Sequence, residues 1–142
     1  MKKIIYFIIL LIPFPILALT YPTLHYRNAI IYDLTDNNIL YDYHSEEETS
    51  IASLTKIMTT IVAIESIDNL DETITYTKNM DSLVRWDASV AGLKVGKTYT
   101  YRDLLYASIL PSGADATTAL AISISGSIDA YVNKMNVLAK QL

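Results

Sequence analysis

The sequence predicts an α+β (mixed α/β) fold, in which an antiparallel sheet accompanies a cluster of helices. Three observations indicate this class. The early part of the chain alternates short, β-branched apolar runs with turn residues, which is typical of strands. Residues 51–64 are apolar on nearly all sides, which favours a helix in the middle of a domain. Residues 101–142 carry the start and stop signals of three further helices.

The first twenty residues are predicted to be a targeting segment. Lys2 and Lys3 precede a short apolar run that continues past two prolines, which is the layout of a secretory signal peptide. Residues 18–20, Ala-Leu-Thr, offer a weaker cleavage site than Ala-x-Ala, so an uncleaved membrane anchor stays open as an alternative. In both cases we expect residues 21–142 to work outside the cytoplasm, secreted or in the cell envelope.

A β-hairpin is predicted at the start of the remaining chain. Residues 29–33 are β-branched and apolar, residues 36–38 are a turn signal, and residues 39–43 resume the strand pattern. A polar, acidic loop follows over residues 45–49. An isolated hairpin is marginal in water, so further strands or a covering helix are expected.

The next segment predicts one short strand and the start of a helix. Residues 74–77 have a strand pattern, and residues 78–98 form a loop-rich stretch. Thr100 and Asp103 have the spacing of a capping box, which predicts a helix over 101–109.

Two more helices are predicted in the last part of the chain. The segment 111–113, Pro-Ser-Gly, breaks the preceding helix. A second helix is expected over 114–125 and stops at Gly126, a residue common after helix ends. Ser127 can cap a third helix that runs to Leu142.

Composition excludes several classes of function. Eleven basic and fifteen acidic residues give a net charge of −4 without a basic run after the first three residues, so nucleic acid is not an expected partner. The absence of cysteine excludes disulfides, thiol catalysis and cysteine-based metal sites. His25 has no nearby carboxylate, and His44 has only the run 46–48. We therefore expect neither a metal nor a cofactor.

Ser53 and Lys56 are the first candidates for chemistry. Their spacing of three puts both side chains on one face of a helix. A serine hydroxyl becomes a good nucleophile when a nearby base removes its proton. An apolar helix disfavours the charged form of a lysine, which leaves an amine that can accept that proton. The Ser53 amide, at the start of the helix, could also contribute to an oxyanion site.

Each candidate also has a purely structural interpretation. Ser-x-x-Lys is a short motif that arises by chance, and Lys56 could extend its amine to solvent while its stem packs on apolar neighbours. Ser112 lies on the predicted loop between two helices, where a hydroxyl can project into a cleft but can also simply cap a turn.

Taken together, these segments resemble the serine D-alanyl-D-alanine carboxypeptidases, the low-molecular-mass penicillin-binding proteins. Residues 51–60, Ile-Ala-Ser-Leu-Thr-Lys-Ile-Met-Thr-Thr, resemble the segment that carries the family's Ser-x-x-Lys motif. Residues 110–116, Leu-Pro-Ser-Gly-Ala-Asp-Ala, resemble its second motif, usually Ser-Gly-Asn followed by Asp-Ala. Residues 37–41 and 92–96 also fit, and the likeness runs from about residue 28 to the last residue.

The resemblance implies a β-lactamase/transpeptidase-like fold and assigns roles to residues. Ser53 would be the acyl-ester nucleophile, Lys56 its general base, and Ser112 a proton relay that also binds substrate. The substrate would be a peptidoglycan stem peptide ending in D-Ala-D-Ala. β-Lactams would trap Ser53 because they imitate that dipeptide. Membrane attachment stays open.

The chain departs from the family pattern in two places. Ala114 occupies the position of the usual asparagine, which would weaken substrate alignment unless Asp115 or another group substitutes. The third motif, Lys-Thr-Gly or similar, is absent, since residues 96–98, Gly-Lys-Thr, have the wrong order and place. We therefore interpret residues 21–142 as the N-terminal portion of the catalytic domain, without its later strands.

Three alternatives accompany the carboxypeptidase interpretation. A β-lactamase or a peptidoglycan endopeptidase of the same superfamily would use the same motifs. A non-catalytic cell-wall binding remnant would explain Ala114 and the missing third motif.

Overall fold

The computed structural model describes residues 25–142. One compact unit extends up to Thr49, and a second comprises Ser50–Leu142. The signal peptide or anchor predicted for residues 1–20 lies outside the described residues. Among the residues described, none of the helices combines the length and the apolar character that crossing a membrane requires.

The first unit contains the predicted hairpin. Strand β1 (Ala29–Asp33) pairs antiparallel with β2 (Asn38–Tyr43), with a one-residue shift in register near the middle. The Asp33 carboxylate accepts the Thr35 N–H over 2.8 Å and so closes the turn. Asn37 takes a left-handed φ of 52°, a conformation that asparagine tolerates better than most residues. The hairpin prediction is confirmed.

The second unit contains helices and a small sheet. The elements of this unit in chain order are a 3₁₀ turn (Ala52–Leu54), α1 (Thr55–Ser66), β3 (Thr73–Thr75), α2 (Lys78–Ser82), β4 (Thr98–Thr100), α3 (Tyr101–Ile109), α4 (Ala114–Ser125) and α5 (Ile128–Ala139). Strands β3 and β4 pair antiparallel, from Thr73 opposite Thr100 to Thr75 opposite Thr98.

The helix boundaries follow the signals in the sequence. Thr100 and Asp103 form a reciprocal capping box: the Thr100 hydroxyl accepts the Asp103 N–H, and the Asp103 carboxylate accepts the Thr100 N–H. Gly126 ends α4 with a left-handed φ of 76°, which costs glycine little. Ser127 caps α5 by accepting the Ala130 N–H. These predictions are confirmed.

Two details of the sequence interpretation are wrong, and a third is incomplete. The loop-rich stretch 78–98 also contains the short helix α2, which Thr77 caps and Met80 anchors in the core. Strand β4 was not expected, since its three residues pair with a strand more than twenty residues away. The third helix ends at Ala139 and does not continue to Leu142.

Helix α4 lies at the centre of the second unit. Its buried Ala116, Ala119 and Leu120 pack with Leu104 of α3 and Ala63 of α1, and small side chains allow this close approach. Because α1, α3 and α4 pack closely on one another, the segments at their ends are held in fixed positions.

A second cluster joins α5 to α1. Tyr131 is buried against Val62 and Ala121, and its hydroxyl donates to the Thr59 carbonyl over 2.7 Å. Burial raises the pKa of Tyr131, so this hydroxyl remains a donor throughout the physiological range.

Only one side of α1 is buried among the described residues. Ile57 and Ile64 of this helix are exposed, and so are Tyr106 and Ile109 of the neighbouring α3. The expectation of a helix in the middle of a domain is thus met only where α1 faces α3, α4 and α5.

Candidate active site

The first candidate, Ser53, lies in the 3₁₀ turn that leads into α1, and its side chain is exposed. The preceding residue, Ala52, has a left-handed φ of 46°. A non-glycine residue in this region costs about 1–3 kcal/mol and persists only where its surroundings impose it. The backbone is therefore strained immediately before the candidate nucleophile.

Lys56 lies one turn further on, where the sequence spacing places it. Its Nζ donates to Ser53 Oγ over 3.3 Å. The side chain is half-buried, so it is less enclosed than an apolar helix suggested. The amine can still exchange a proton with the hydroxyl, because the two atoms are already in contact.

Ser112 contacts Ser53 Oγ from a distant part of the chain. It follows α3 and has a left-handed φ of 60°, and its hydroxyl donates to Ser53 Oγ over 3.0 Å. Although 59 residues separate the two serines, tertiary packing brings both into contact. Ser53 Oγ therefore has a lysine amine on one side and a second hydroxyl on the other.

These groups line an open cleft with a volume of about 320 Å³. Its polar lining consists of the three candidates and Ser108. Its apolar lining comes from Ile51, Leu54, Ile57 and Ile109. A few converging polar groups on an apolar wall are typical of a small-molecule or peptide site.

Ser108 is a component of the site that the sequence analysis missed. It is fully buried, donates to the Leu105 carbonyl over 2.8 Å, and lies 3.3 Å from the Thr60 hydroxyl. Thr60 in turn donates to the Lys56 carbonyl over 2.8 Å. This link joins α3 to α1 beside Lys56, and no motif in the sequence indicates it.

Asp115 organises the start of α4, three residues after Ser112. Its side chain is 3 % exposed, and its two oxygens accept four backbone N–H groups at 2.8–3.0 Å, from Ala91, Gly92, Leu93 and Ala116. Burial raises the pKa of Asp115, but these four hydrogen bonds outweigh it and hold the pKa below its usual range. The charged carboxylate thus ties the loop to the start of α4.

Gly113 is required by the same close packing. A Cβ at this position would lie 2.6 Å from the Ala107 carbonyl oxygen and 2.9 Å from both Ala91 Cβ and Asp115 Oδ1. The backbone between Ser112 and α4 therefore passes through a space that admits only glycine.

Comparison with known proteins assigns the chain to a family. Residues 17–142 match the family model described as D-alanyl-D-alanine carboxypeptidase. This chain belongs to the D-alanyl-D-alanine carboxypeptidase family. The α+β class and the family resemblance predicted from the sequence are both confirmed.

Several relatives of known sequence are similar to it. A D-alanyl-D-alanine carboxypeptidase of Streptomyces sp. (strain K15) is 37 % identical over 90 % of this chain, which spans 47 % of that protein. The carboxypeptidase DacF of Bacillus subtilis is 31 % identical over 82 % of this chain, which spans 30 % of it. The chain therefore spans between about a third and a half of these curated relatives.

Solved structures of the family have the same fold. The Streptomyces K15 DD-transpeptidase is 36 % identical, covers 75 % of this chain and 44 % of its own, and gives a TM-score of 0.70. Penicillin-binding protein 5 of Haemophilus influenzae is 27 % identical, covers 86 % of this chain and 37 % of its own, and gives a TM-score of 0.76.

Asp115 does not replace the asparagine that this carboxypeptidase family usually has at position 114. Its carboxylate points into the loop of residues 91–93 and is occupied by backbone N–H groups. Ala114 offers a methyl group, and its N–H donates to the Ser89 carbonyl over 2.8 Å. The expectation that Asp115 could substitute is therefore wrong.

Residues 96–98 are not among the residues that line the cleft. Residues 96–98 lead into β4, where the Lys97 carbonyl accepts the Tyr76 N–H over 2.9 Å. In the first unit, His44 Nδ1 lies 2.5 Å from a Glu47 carboxylate oxygen. Within residues 25–142, no three His, Cys, Asp or Glu side chains come together as a metal site would need.

We expect Asp115→Asn to destabilise this family member by about 2–3 kcal/mol at pH 7, because an amide group would meet backbone donors in a buried space. Because folding lowers the pKa of Asp115, its carboxylate stabilises the wild-type protein fully above about pH 3.9. That stabilisation is lost as the pH falls through the folded-state pKa. Urea unfolding at pH 7 and pH 3, followed by circular dichroism, measures both effects. The variant should lose less stability than wild type on acidification.

Asp129→Asn is the matched control, since Asp129 is exposed in the first turn of α5. Asp129→Asn should lower the free energy of unfolding by no more than about 1 kcal/mol. Equal stability of Asp115→Asn and wild type at pH 7 would contradict the structural role of this carboxylate.

Proposed function

We propose that the protein is an extracytoplasmic serine-type D-alanyl-D-alanine carboxypeptidase, which removes the terminal D-Ala from peptidoglycan stem peptides. The observation that carries this proposal is the convergence of Lys56 Nζ and Ser112 Oγ on Ser53 Oγ. Membership of the D-alanyl-D-alanine carboxypeptidase family supports it. Penicillin and other β-lactams would acylate the same serine.

In the first step Ser53 is acylated. Lys56 Nζ, as the neutral amine, accepts the Ser53 hydroxyl proton across the 3.3 Å contact. Ser53 Oγ then attacks the carbonyl carbon of the peptide bond between the two D-alanines. The C–N bond breaks, and the proton held by Lys56 is passed on to the departing D-alanine nitrogen, with Ser112, whose hydroxyl contacts Ser53 Oγ, as the relay.

In the second step water releases the shortened peptide. A water molecule adds to the ester carbonyl, and the bond to Ser53 Oγ breaks. Lys56 accepts the proton of the water and returns one to Ser53. The peptide leaves with a new terminal carboxylate, and the enzyme regains its starting protonation. The exposed position of Ser53 at the mouth of the cleft allows water to enter.

We also propose the domain organisation that the sequence suggests. Residues 1–20 would export the protein or anchor it in the membrane, and residues 21–142 would form the N-terminal portion of the catalytic domain. This assignment places the chain on the outer face of the bacterial cytoplasmic membrane, where its stem-peptide substrate lies. No cofactor enters the proposed reaction.

Release of D-alanine is the direct test of this function. We expect the protein to liberate one D-alanine from each Lys-D-Ala-D-Ala peptide, as measured by an enzyme-coupled D-alanine assay. A peptide ending in L-Ala-L-Ala is the matched control and should release nothing. Absence of D-alanine release by folded protein would contradict the carboxypeptidase assignment.

An endopeptidase is the second candidate, because a D-alanyl-D-alanine endopeptidase of Pseudomonas aeruginosa is 30 % identical over 81 % of this chain. It would cleave cross-linked dimeric muropeptides in preference to the tripeptide. Rapid turnover of a chromogenic β-lactam would favour a β-lactamase. Binding to cell wall without acylation would favour a non-catalytic remnant, which the alanine at position 114 makes worth testing.

A further inference from the structure

Two hydroxyl groups join the helices that carry the candidate active site. Thr60 lies one turn after Lys56 on α1, and its Oγ1 donates to the Lys56 carbonyl over 2.8 Å. The same Oγ1 lies 3.3 Å from Ser108 Oγ, in the last turn of α3. Within residues 25–142, this contact is the only hydrogen bond that joins α1 directly to α3.

Each hydroxyl also has a purely structural interpretation. Serine and threonine in helices commonly bond a carbonyl three or four residues back, as Ser108 does with Leu105 over 2.8 Å. The location of Ser108 argues for more than this. It is fully buried, and a buried hydroxyl has a desolvation cost that an alanine would not have. Ser108 bears this cost where α3 meets α1, at the wall of the cleft that contains Lys56.

The end of α3 determines where Ser112 lies. The Gly113 N–H donates to the Ala107 carbonyl over 3.0 Å, so the residue after Ser112 is bonded to the residue before Ser108. A Cβ at position 113 would lie 2.6 Å from the same carbonyl oxygen, which shows how closely the two segments pack. A shift of α3 along α1 would therefore carry Ser112 away from Ser53.

The two contacts at Ser53 Oγ differ in how they depend on helix packing. Lys56 Nζ lies 3.3 Å away and belongs to the same turn of the chain, so this contact is local. Ser112 Oγ lies 3.0 Å away and comes from the end of α3, so this contact depends on the spacing of α1 and α3. A misplacement of about 1 Å can lower a reaction rate by about 10²-fold. The bond between Thr60 and Ser108 is thus placed where it controls the Ser112 contact.

We propose that Thr60 and Ser108 are positioning residues, which hold α3 against α1 so that the Ser112 hydroxyl stays in contact with Ser53 Oγ. This inference rests on the proposed function, and it adds two hydroxyl groups to the three candidates. Ser53 Oγ is contacted by Lys56 and Ser112, so the added pair acts on the reaction through Ser112. Its effect on acylation should therefore disappear when Ser112 is replaced by alanine.

The rate of penicillin acylation of the full chain, followed by stopped-flow fluorescence, tests the proposal. Thr60→Val removes the hydroxyl at nearly constant shape and should slow acylation about tenfold, whereas Thr60→Ser keeps the hydroxyl and should retain the wild-type rate. Ser108→Ala should show the same loss. The double variant Thr60→Val/Ser108→Ala should also be about tenfold slower, not about a hundredfold, because both changes remove one bond. Thr60→Val should cause no further loss in Ser112→Ala.

Thr59→Val is the matched control. Thr59 Oγ1 makes the same bond to a carbonyl four residues back, that of Thr55, over 3.3 Å. It faces α5 instead of α3, with the Met135 sulfur at 3.9 Å. Thr59→Val should therefore be acylated at the wild-type rate. Thermal melts establish that each variant is folded.

Wild-type acylation rates in folded Thr60→Val and Ser108→Ala would overturn the positioning role and leave the proposed function standing. Equal slowing by Thr60→Val with and without Ser112 would also overturn it, since the effect would not pass through Ser112. Absence of acylation in folded wild type would count against the proposed function, and hydrogen exchange would then decide the positioning role. The amides of residues 110–113 should exchange faster in Thr60→Val than in Thr59→Val, and equal exchange would overturn the proposal.

Discussion

Replacing Ser53 with alanine is expected to abolish the covalent adduct with fluorescent penicillin. The wild-type protein should gain the mass of one penicillin, because the Ser53 hydroxyl is exposed and contacts both Lys56 and Ser112. The alanine variant keeps the fold but has no oxygen with which to form the ester. Intact-mass spectrometry and gel fluorescence after labelling measure the result.

Two control variants make this experiment specific. Ser50→Ala removes an exposed serine three residues earlier and should leave the labelling intact. Ser112→Ala should label more slowly but still form the adduct on Ser53, because a relay is lost while the nucleophile remains. An adduct that survives in Ser53→Ala would show that another residue is the nucleophile. Absence of an adduct in the folded wild type would count against the acylation chemistry of this chain.

Replacing Lys56 with methionine is expected to slow acylation by about 10²–10⁴-fold, the usual contribution of a general base. Methionine fills a similar volume beside Ser53 but cannot accept its proton. Lys56→Arg should be similarly impaired, because a guanidinium retains the positive charge but does not deprotonate. The measurement is the second-order rate of penicillin acylation, followed by stopped-flow fluorescence.

A lysine far from the cleft is the control. Lys134 is exposed on α5, and Lys134→Met should acylate at the wild-type rate. Thermal melts of both Lys56 variants should lie close to wild type, since the side chain is only half-buried. Wild-type acylation by Lys56→Arg would contradict the role of Lys56 as base, because it would show that a positive charge alone is sufficient.

Much of the local structure could be predicted because its causes are local. The capping box at Thr100 and Asp103 satisfies backbone groups within one turn, so the residue types and their spacing are enough to predict it. The end of α4 at Gly126 could be predicted for the same reason, since a glycine takes the left-handed conformation at little cost. Strand β4 and helix α2 escaped prediction, because β4 depends on a partner strand more than twenty residues away and α2 on burial of Met80.

The roles of the two residues after Gly113 show the limit of sequence motifs. Asp115 adjoins the position of the family's asparagine, and sequence position alone makes it a plausible replacement. The structure turns its carboxylate toward the backbone of residues 91–93, because a buried charge needs several hydrogen bonds. Adjacent residues on a helix project in different directions, so proximity in sequence did not predict a shared role.

The sequence by itself determined the family, the order of most elements, and the pairing of Ser53 with Lys56, whose three-residue spacing across about one helical turn brings them together. The tertiary structure alone decided that Ser112 meets Ser53 and that Ser108 links α3 to α1. These contacts join residues distant along the chain. They exist only because packing around α4 fixes the ends of its neighbouring helices.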